Sequence, residues 1–380
     1  MAKRVRIGML ISALPAGGAE RVAVEVACAL DRSRFAPFFV LTREGGPLEE
    51  PLREAGIPYT ILGRRGRWIP IRTMIRAHRL LRDADIIHAH LFSSSMYGAL
   101  LARTTGVPLV TRDPTWDGRR TLVRTWGYRW WISPRARYIV CPSDLVARSI
   151  EEEGVPRRKL RVIVNGVPTG TALTRREARA ELGLSADEWV IGIIATLRVE
   201  KAHEVLLRAF ARLLREGRVP TLCIVGDGPQ KTFLHDVAEE LGLDGRVVWA
   251  GHRRDARRLA RAFDTAVICS SWEGLPLAAL EILAAGTPLV ATRVGVLPRI
   301  LDRGVGLLVD VDDDAGLARA LARLMDEPAR AAEQSVRGLR AVEDDYSFDR
   351  MIKEFTALYD EVLDPQQGAR GDVRSTRRAS

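Results

Sequence analysis

A chain of 380 residues exceeds the size at which one hydrophobic core stops growing, so two domains are expected. Apolar residues make up 47% and charged residues 28%, a balance that argues against a disordered or collagen-like chain. The 58 Lys and Arg against 48 Asp and Glu leave a net charge of +10, carried mostly by arginine; an anionic partner (phosphate, anionic membrane or nucleic acid) or a plain arginine bias would each produce it.

The opening "MAKRVRIGMLISALPAGGA" has the outline of a signal peptide, but "AERVAVEVACALD" behind it is an amphipathic helix that needs a strand to pack on. A first strand over Val5–Ile11 and a glycine loop are therefore predicted. Further strands are predicted at Pro37–Leu41, Tyr59–Leu62, Asp85–Ala89, Pro108–Thr111, Tyr138–Cys141 and Leu160–Val164. Amphipathic stretches alternate with them, at Ala19–Leu30, Ile71–Arg82, Ser94–Thr104 and Asp144–Glu152. The segment 165–188 is rich in Gly, Thr and Pro and then turns into a short charged helix, as suits a linker. A second series follows: Val190–Ala195, Thr221–Val225, Arg246–Ala250, Thr265–Cys269, Pro288–Ala291 and Gly306–Val309. Continuous apolar strands alternating with helices predict parallel sheets covered on both faces, in two Rossmann-like halves. The last helix starts at a candidate N-cap, Ser347, and places Ile352, Phe355, Leu358 and Tyr359 on one face; residues 365–380 form a basic tail with little to bury, expected to be disordered.

Cys28, Cys141, Cys223 and Cys269 lack C-x-x-C spacing, and three lie in apolar runs, so they read as core residues of a reduced compartment. The six histidines show no H-E-x-x-H pattern, and no metal site is expected. No run reaches 18 uninterrupted apolar residues, so no transmembrane helix is expected and the chain is placed in the cytoplasm.

Open α/β sheets bind ligands at the carboxyl ends of their strands, so two facing halves make the cleft between them the natural site. After the strand at 190–195 come Arg198 and Lys201, cations suited to a pyrophosphate, with the N-terminus of the next helix beside them. "IVGDGP" offers Gly226 and Gly228, but Lys231 stands where a dinucleotide fingerprint needs its third glycine; a ligand-facing turn and a purely structural one both remain open. In "SSWEGLPLAALEILAAGTPLVAT", Glu281 shares a helix face with Leu277, Leu280 and Ala284, and Glu273 precedes that helix beside Gly274. Carboxylates in such apolar company need partners, and the hydroxyls of a sugar and a ribose would supply them. In the first half, Gly17 and Gly18 lie between strand and helix, and "DIIHAHLF" puts His88 and His90 on one side of a strand end.

In order, "GGAERV", "DIIHAHL", "KLRVIVNGV", "EKAHEVLLRAF", "VGDGP" and the E-x7-E block "EGLPLAALE" with "AAGTPLVAT" make the chain resemble the retaining, nucleotide-sugar-dependent glycosyltransferases of GT-B fold, the group 1 family, from about residue 5 to 363. The resemblance implies two facing Rossmann-like domains with parallel sheets and an interdomain cleft. It divides the chain into an acceptor domain at 1–168, a donor domain at 169–345, a helix at 346–364 crossing back to the first domain, and the tail. It implies that Glu281 holds the donor ribose, that Glu273 contacts the donor sugar with Gly274, Leu275 and Pro276 beside it, and that Arg198 and Lys201 hold the diphosphate, faced by Gly17 and Gly18. Arg198, Lys201, Glu273 and His90 are the implied catalytic set; His88, His90, Arg112 and Asp113 lie on the acceptor or sugar side. No cofactor or metal is implied beyond the nucleotide-sugar co-substrate. The chain departs from the family pattern in three places: Thr196 stands where an arginine is usual, Arg112 and Asp113 follow strand Pro108–Thr111 where many relatives place a histidine near the sugar, and Val296 and Arg299 stand where a glycine and a glutamate are usual.

Between 115 and 138 lie four Trp and six Arg, a pattern that fits anionic headgroups, tryptophan packing or nucleic acid. Without a recognised nucleic-acid motif, the expectation is peripheral contact with the inner face of the cytoplasmic membrane and a glycan acceptor, polyprenyl- or lipid-linked. A non-catalytic nucleotide- or glycan-binding protein and a nucleotide-sugar epimerase of the same fold are the alternatives. The donor base and sugar, the linkage and the oligomeric state are not legible in the sequence.

Overall fold

The structure is a computed structural model that describes residues 3–364 except 16, 65, 67–69, 114–120 and 171–172, and the side chain of Arg303. The tail 365–380 and the start of the Trp/Arg-rich stretch, 115–120, lie outside the described residues. The chain divides into two compact units, Met1–Val164 with Arg350–Ser380, and Asn165–Asp349.

In the first unit seven strands pair in parallel: β1 (Val5–Ile11), β2 (Phe35–Leu41), β3 (Tyr59–Ile61), β4 (Ile86–His90), β5 (Leu109–Arg112), β6 (Ala136–Cys141) and β7 (Leu160–Val162). Their order is β3-β2-β1-β4-β5-β6-β7. The second unit pairs β8 (Val190–Ile194), β9 (Thr221–Val225), β10 (Val247–Gly251), β11 (Thr265–Ile268), β12 (Leu289–Thr292) and β13 (Leu307–Val309), in the order β10-β9-β8-β11-β12-β13. Both are doubly wound Rossmann-like sheets. Strand order reverses between β1 and β4 in one and between β8 and β11 in the other. Loops leaving the carboxyl ends there diverge to opposite faces and leave a crevice, the usual ligand site of such sheets.

The apolar runs become strands because both sheet faces are covered. Ile7, Met9, Leu10 and Ile11 of β1 are all fully buried, as are Val190 and Ile191 of β8. Each sheet carries its own core. Leu10, Ile87, Leu109 and Ile139 pack with Leu81, Leu101 and Ile132 of the covering helices in one unit, and Ile191, Ile224, Val267 and Val290 with Leu206, Phe210 and Leu321 in the other. The four cysteines are free thiols, all but Cys28 buried.

The final helix, Phe348–Leu363, belongs to the first unit from Arg350 onward. It buries Met351, Phe355, Leu358, Tyr359 and Val362, a stripe one position off the predicted one at its start, since Ile352 is only half-buried. Arg34, just before β2, pairs with Asp360 at 2.7 Å, Arg161 of β7 pairs with Glu361 at 2.9 Å, and Tyr138 of β6 donates to Glu361, tying the helix to that unit.

Candidate active site

In the second unit the loops after β8 and β11 are stitched together at the point of strand-order reversal. Lys201 Nζ donates to Glu273 Oε1 at 2.6 Å, and Ser270 Oγ donates to the same oxygen at 2.8 Å. Backbone and sulfur bonds hold the loops in register: Ser271 N to Glu200 O at 2.9 Å, and Cys269 Sγ to Lys201 O at 3.2 Å. Glu273 is buried, so its carboxylate is tolerated there through the ammonium and the hydroxyl. Arg198 lies in the same loop with its side chain 62% exposed and Glu200 3.9 Å away, leaving a guanidinium able to reach an anionic ligand.

The helix Leu277–Ala284 starts immediately behind this loop, with Pro276 as its N-cap. Its face of Leu277, Leu280 and Glu281 is turned inward, and Glu281 is only 3% exposed. Gly295 braces the arrangement from the loop after β12. Its φ is +54°, and a Cβ there would overlap the carbonyl oxygen of Glu273 and lie 3.2 Å from that of Gly274. Gly226 and Gly228 act in the same way, since a Cβ on either would meet the backbone carbonyl of Ala195 or Leu197. Chain packing on the β8 loop thus accounts for both glycines of "VGDGP". His203, the first residue of helix His203–Arg215, is 1% exposed, and neither ring nitrogen has a partner among the described residues. Burial, with help from Lys201, lowers its pKa to about 4.

In the first unit, β4 ends on His90, paired across the sheet with Arg112 of β5. The rings of His88 and His90 lie 4.2 Å apart between centroids, tilted by 37°. His88 Nδ1 shares a hydrogen bond of 2.8 Å with Tyr359 Oη, brought in by the final helix. Among the described residues neither nitrogen of His90 has a partner, although the residue is only 2% exposed. Burial brings His88 to about 3 and holds His90 well below its ordinary range, His88 and Arg112 reinforcing the latter, so both rings are neutral near pH 7. Arg112, buried itself, falls to about 10 and remains a cation. Leu91, just past His90, sits at φ +70°, a left-handed conformation that a bulky residue adopts only when held there. Gly17 caps the helix Gly18–Ala29 after β1; the Glu20 carboxylate folds against it, while Gly18 is exposed.

The chain matches the glycosyl transferases group 1 family over residues 174–339 and glycosyltransferase family 4 over residues 16–171. It is 31% identical over 323 residues to D-inositol 3-phosphate glycosyltransferase of Nocardia farcinica, covering 77% of this chain and 70% of the relative. The chain belongs to the group 1 glycosyltransferases. Lipopolysaccharide core biosynthesis glycosyltransferase LpsD of Rhizobium meliloti is 29% identical over 347 residues, 90% of this chain and 95% of the relative. Among solved structures, HepE of Anabaena in complex with UDP-glucose shares the fold with a TM-score of 0.84 at 20% identity, over 94% of this chain and all of the other.

Within this glycosyltransferase the residues singled out from sequence form two groups. Arg198, Lys201, Glu273, Gly274, Leu275, Pro276 and Glu281 cluster around the β8 and β11 loops. His88, His90 and Arg112 converge at the ends of β4 and β5. Asp113 does not join them: it is fully buried, and its carboxylate accepts from Tyr128 Oη and pairs with Arg124 at 3.3 Å. Sequence reasoning missed Tyr359 as the partner of His88, Gly295 as the brace of Glu273, and His203. Only Gly295 carried a local signal, a glycine in the loop after a strand.

Proposed function

We propose that this glycosyltransferase is a retaining enzyme that moves a hexose-type sugar from a nucleotide-diphosphate donor to a hydroxyl of a lipid-linked or polysaccharide glycan, without a metal, in peripheral contact with the inner face of the cytoplasmic membrane. The observation that carries the donor assignment is the Lys201–Glu273 pair at the strand-order reversal of the second unit, with the exposed Arg198 guanidinium on the same loop. Glu281 accepts from the ribose diol and Glu273 from a sugar hydroxyl, while Arg198, Lys201 and the start of helix His203–Arg215 meet the diphosphate. Lys201, already hydrogen-bonded to Glu273, can bridge phosphate and carboxylate.

Substitution follows the front-face course. The bond from the anomeric carbon to the phosphate oxygen breaks as the bond to the acceptor oxygen forms on the same side. The acceptor proton passes to the departing phosphate, so no carboxylate nucleophile is required. Charge growing on the diphosphate is stabilised by the fixed cations, donors that need no reorganisation during the step. His90, neutral and with both nitrogens available, is suited to hydrogen-bond a sugar or acceptor hydroxyl, and Arg112 beside it supplies a fixed positive charge. The name of LpsD supports an envelope-glycan acceptor, and the UDP-glucose held by HepE supports a nucleotide-sugar donor.

A thermal-shift panel of UDP, GDP, ADP and TDP with matching sugar nucleotides, with and without a chelator, tests this reading. A selective shift by one base, unchanged by the chelator, is expected. No shift by any nucleotide at saturating concentration, from folded protein, would overturn it.

A further inference from the structure

The helical segment Leu122–Trp126 and the π-helix Gly127–Ile132 that continues it are turned inside out. Leu122 is 90% exposed, and Val123, Trp126 and Trp130 are exposed beside it. The charged residue is the one that points in: the Arg124 side chain is 13% exposed, with Nε 2.9 Å from Glu153 and Nη1 3.3 Å from Asp113, two buried carboxylates. Tyr128, one turn on, is fully buried under the same guanidinium and donates to Asp113. Water favours the opposite orientation, so the apolar outer face is fixed by a buried ion network, not left over from poor packing. Trp131 donates to Met96 O at 2.8 Å, and the aromatic Phe92–Tyr128 contact at 5.5 Å completes the seat on helix Leu91–Thr105.

Helix Ile71–Leu81 also packs on helix Leu91–Thr105, joined to it by His78 and Thr104 at 3.1 Å. That helix buries Thr73, Ala77 and Leu81 and exposes Ile71 (77%) and Ile75 one turn apart, with exposed Arg72, Arg76 and Arg79 alongside. Residues 71–82 and 121–138 contain no Asp or Glu at all. Arg129 lies over Trp130 at 4.9 Å and Arg135 over Trp131 at 4.0 Å, cations stacked on indoles.

We propose that the outer face of these three helices docks on an anionic lipid bilayer, with Leu122, Val123, Trp126 and Trp130 entering the headgroup–acyl boundary and Ile71, Ile75 and the arginines of helix Ile71–Leu81 forming a second contact. The proposal rests on the reading above that the acceptor is met at a membrane, and it identifies the surface that does so. Exposed aliphatic and indole side chains rimmed by arginine, with no acidic residue within 71–82 or 121–138, match a layer that is apolar below and negative above. The chain lies on the bilayer; among the described residues no helix is long and apolar enough to cross it.

The test is co-sedimentation of the full chain with phosphatidylcholine vesicles, with and without phosphatidylglycerol, free of donor and acceptor. Binding is expected only with phosphatidylglycerol and is expected to weaken with salt. Combined Leu122→Ser, Trp126→Ser and Trp130→Ser should weaken it by about tenfold or more. Combined Arg72→Glu, Arg76→Glu and Arg79→Glu should weaken it on the order of a hundredfold and remove most of the salt dependence. Both variants should keep the parent's thermal shift with nucleotide, which reads the transferase assignment separately. Parent protein that stays in the supernatant, or a serine variant that binds like the parent, would overturn the proposal. So would a parent dimer that the serine variant splits, which would assign the face to a second copy.

Discussion

Gly295→Ala tests whether the Glu273 loop is held where donor binding requires it. Two costs follow from the structure. At φ +54° an alanine adopts the left-handed region at about 1–2 kcal/mol. The new methyl would also overlap the Glu273 carbonyl, so the 273–274 peptide must move by about 1 Å, and a displacement of that size at a reacting site costs roughly a hundredfold in rate or binding. Gly286 is the control. Its φ is +69° and the nearest atom to a Cβ is Ser335 Oγ at 3.5 Å, so Gly286→Ala carries the backbone cost of about 1 kcal/mol without the clash. Thermal melts and calorimetric titration with the preferred nucleotide sugar separate the two effects. Both variants should melt about 2–4 °C lower per kcal/mol lost, but only Gly295→Ala should lose donor affinity. Equal affinities in parent and Gly295→Ala would refute the idea that this brace sets the donor site.

Three further outcomes follow from the same geometry. Glu281→Ala should abolish calorimetric binding of the nucleotide, whereas Lys201→Met should weaken the nucleoside diphosphate by about tenfold or more and leave the bare nucleoside unaffected. Tyr359→Phe should cost about 1–3 kcal/mol in denaturant unfolding, because the buried His88 Nδ1 loses its partner; an unchanged midpoint would contradict that pairing. The buried histidines make stability depend on pH. His88 and His203 sit at about 3 and about 4, and His90 is also depressed, whereas unfolded histidine titrates near about 6.5. Unfolding therefore takes up protons below that value. Their contribution is complete above about pH 6.5 and drains as pH falls toward the folded values, at about 1.4 kcal/mol per pH unit for each ring. Denaturant melts between neutral pH and about pH 5 should show this decline, and a flat profile would rule it out.

The two doubly wound halves were legible because parallel strands buried on both faces must be continuous apolar runs, and those at 5–11 and 221–225 end where the pattern ends. Glu281 was legible for a related reason: its spacing from Leu277 and Leu280 assigns it to the inward face. Partnership was not. Lys201 and Glu273 are 72 residues apart, and what joins them is the adjacency of β8 and β11, a property of strand order. Asp113 looked available beside Arg112, yet alternation along the strand sends the two to opposite faces, and Asp113 meets Arg124 and Tyr128. The arginine and tryptophan content of 115–138 left headgroups, tryptophan packing and nucleic acid open, and the faces of its described part could not be drawn, since the π-helical step at Gly127–Ile132 breaks the 3.6-residue period on which such a projection depends.

Hydrogen exchange with the nucleotide sugar selected by the thermal panel tests the central claim most directly. The account predicts protection of the backbone over 196–203 and 270–281 in parent protein, and none in Glu281→Ala. Protection confined to other segments, or the same protection in Glu281→Ala, would contradict the assignment of the donor site to the β8 and β11 loops.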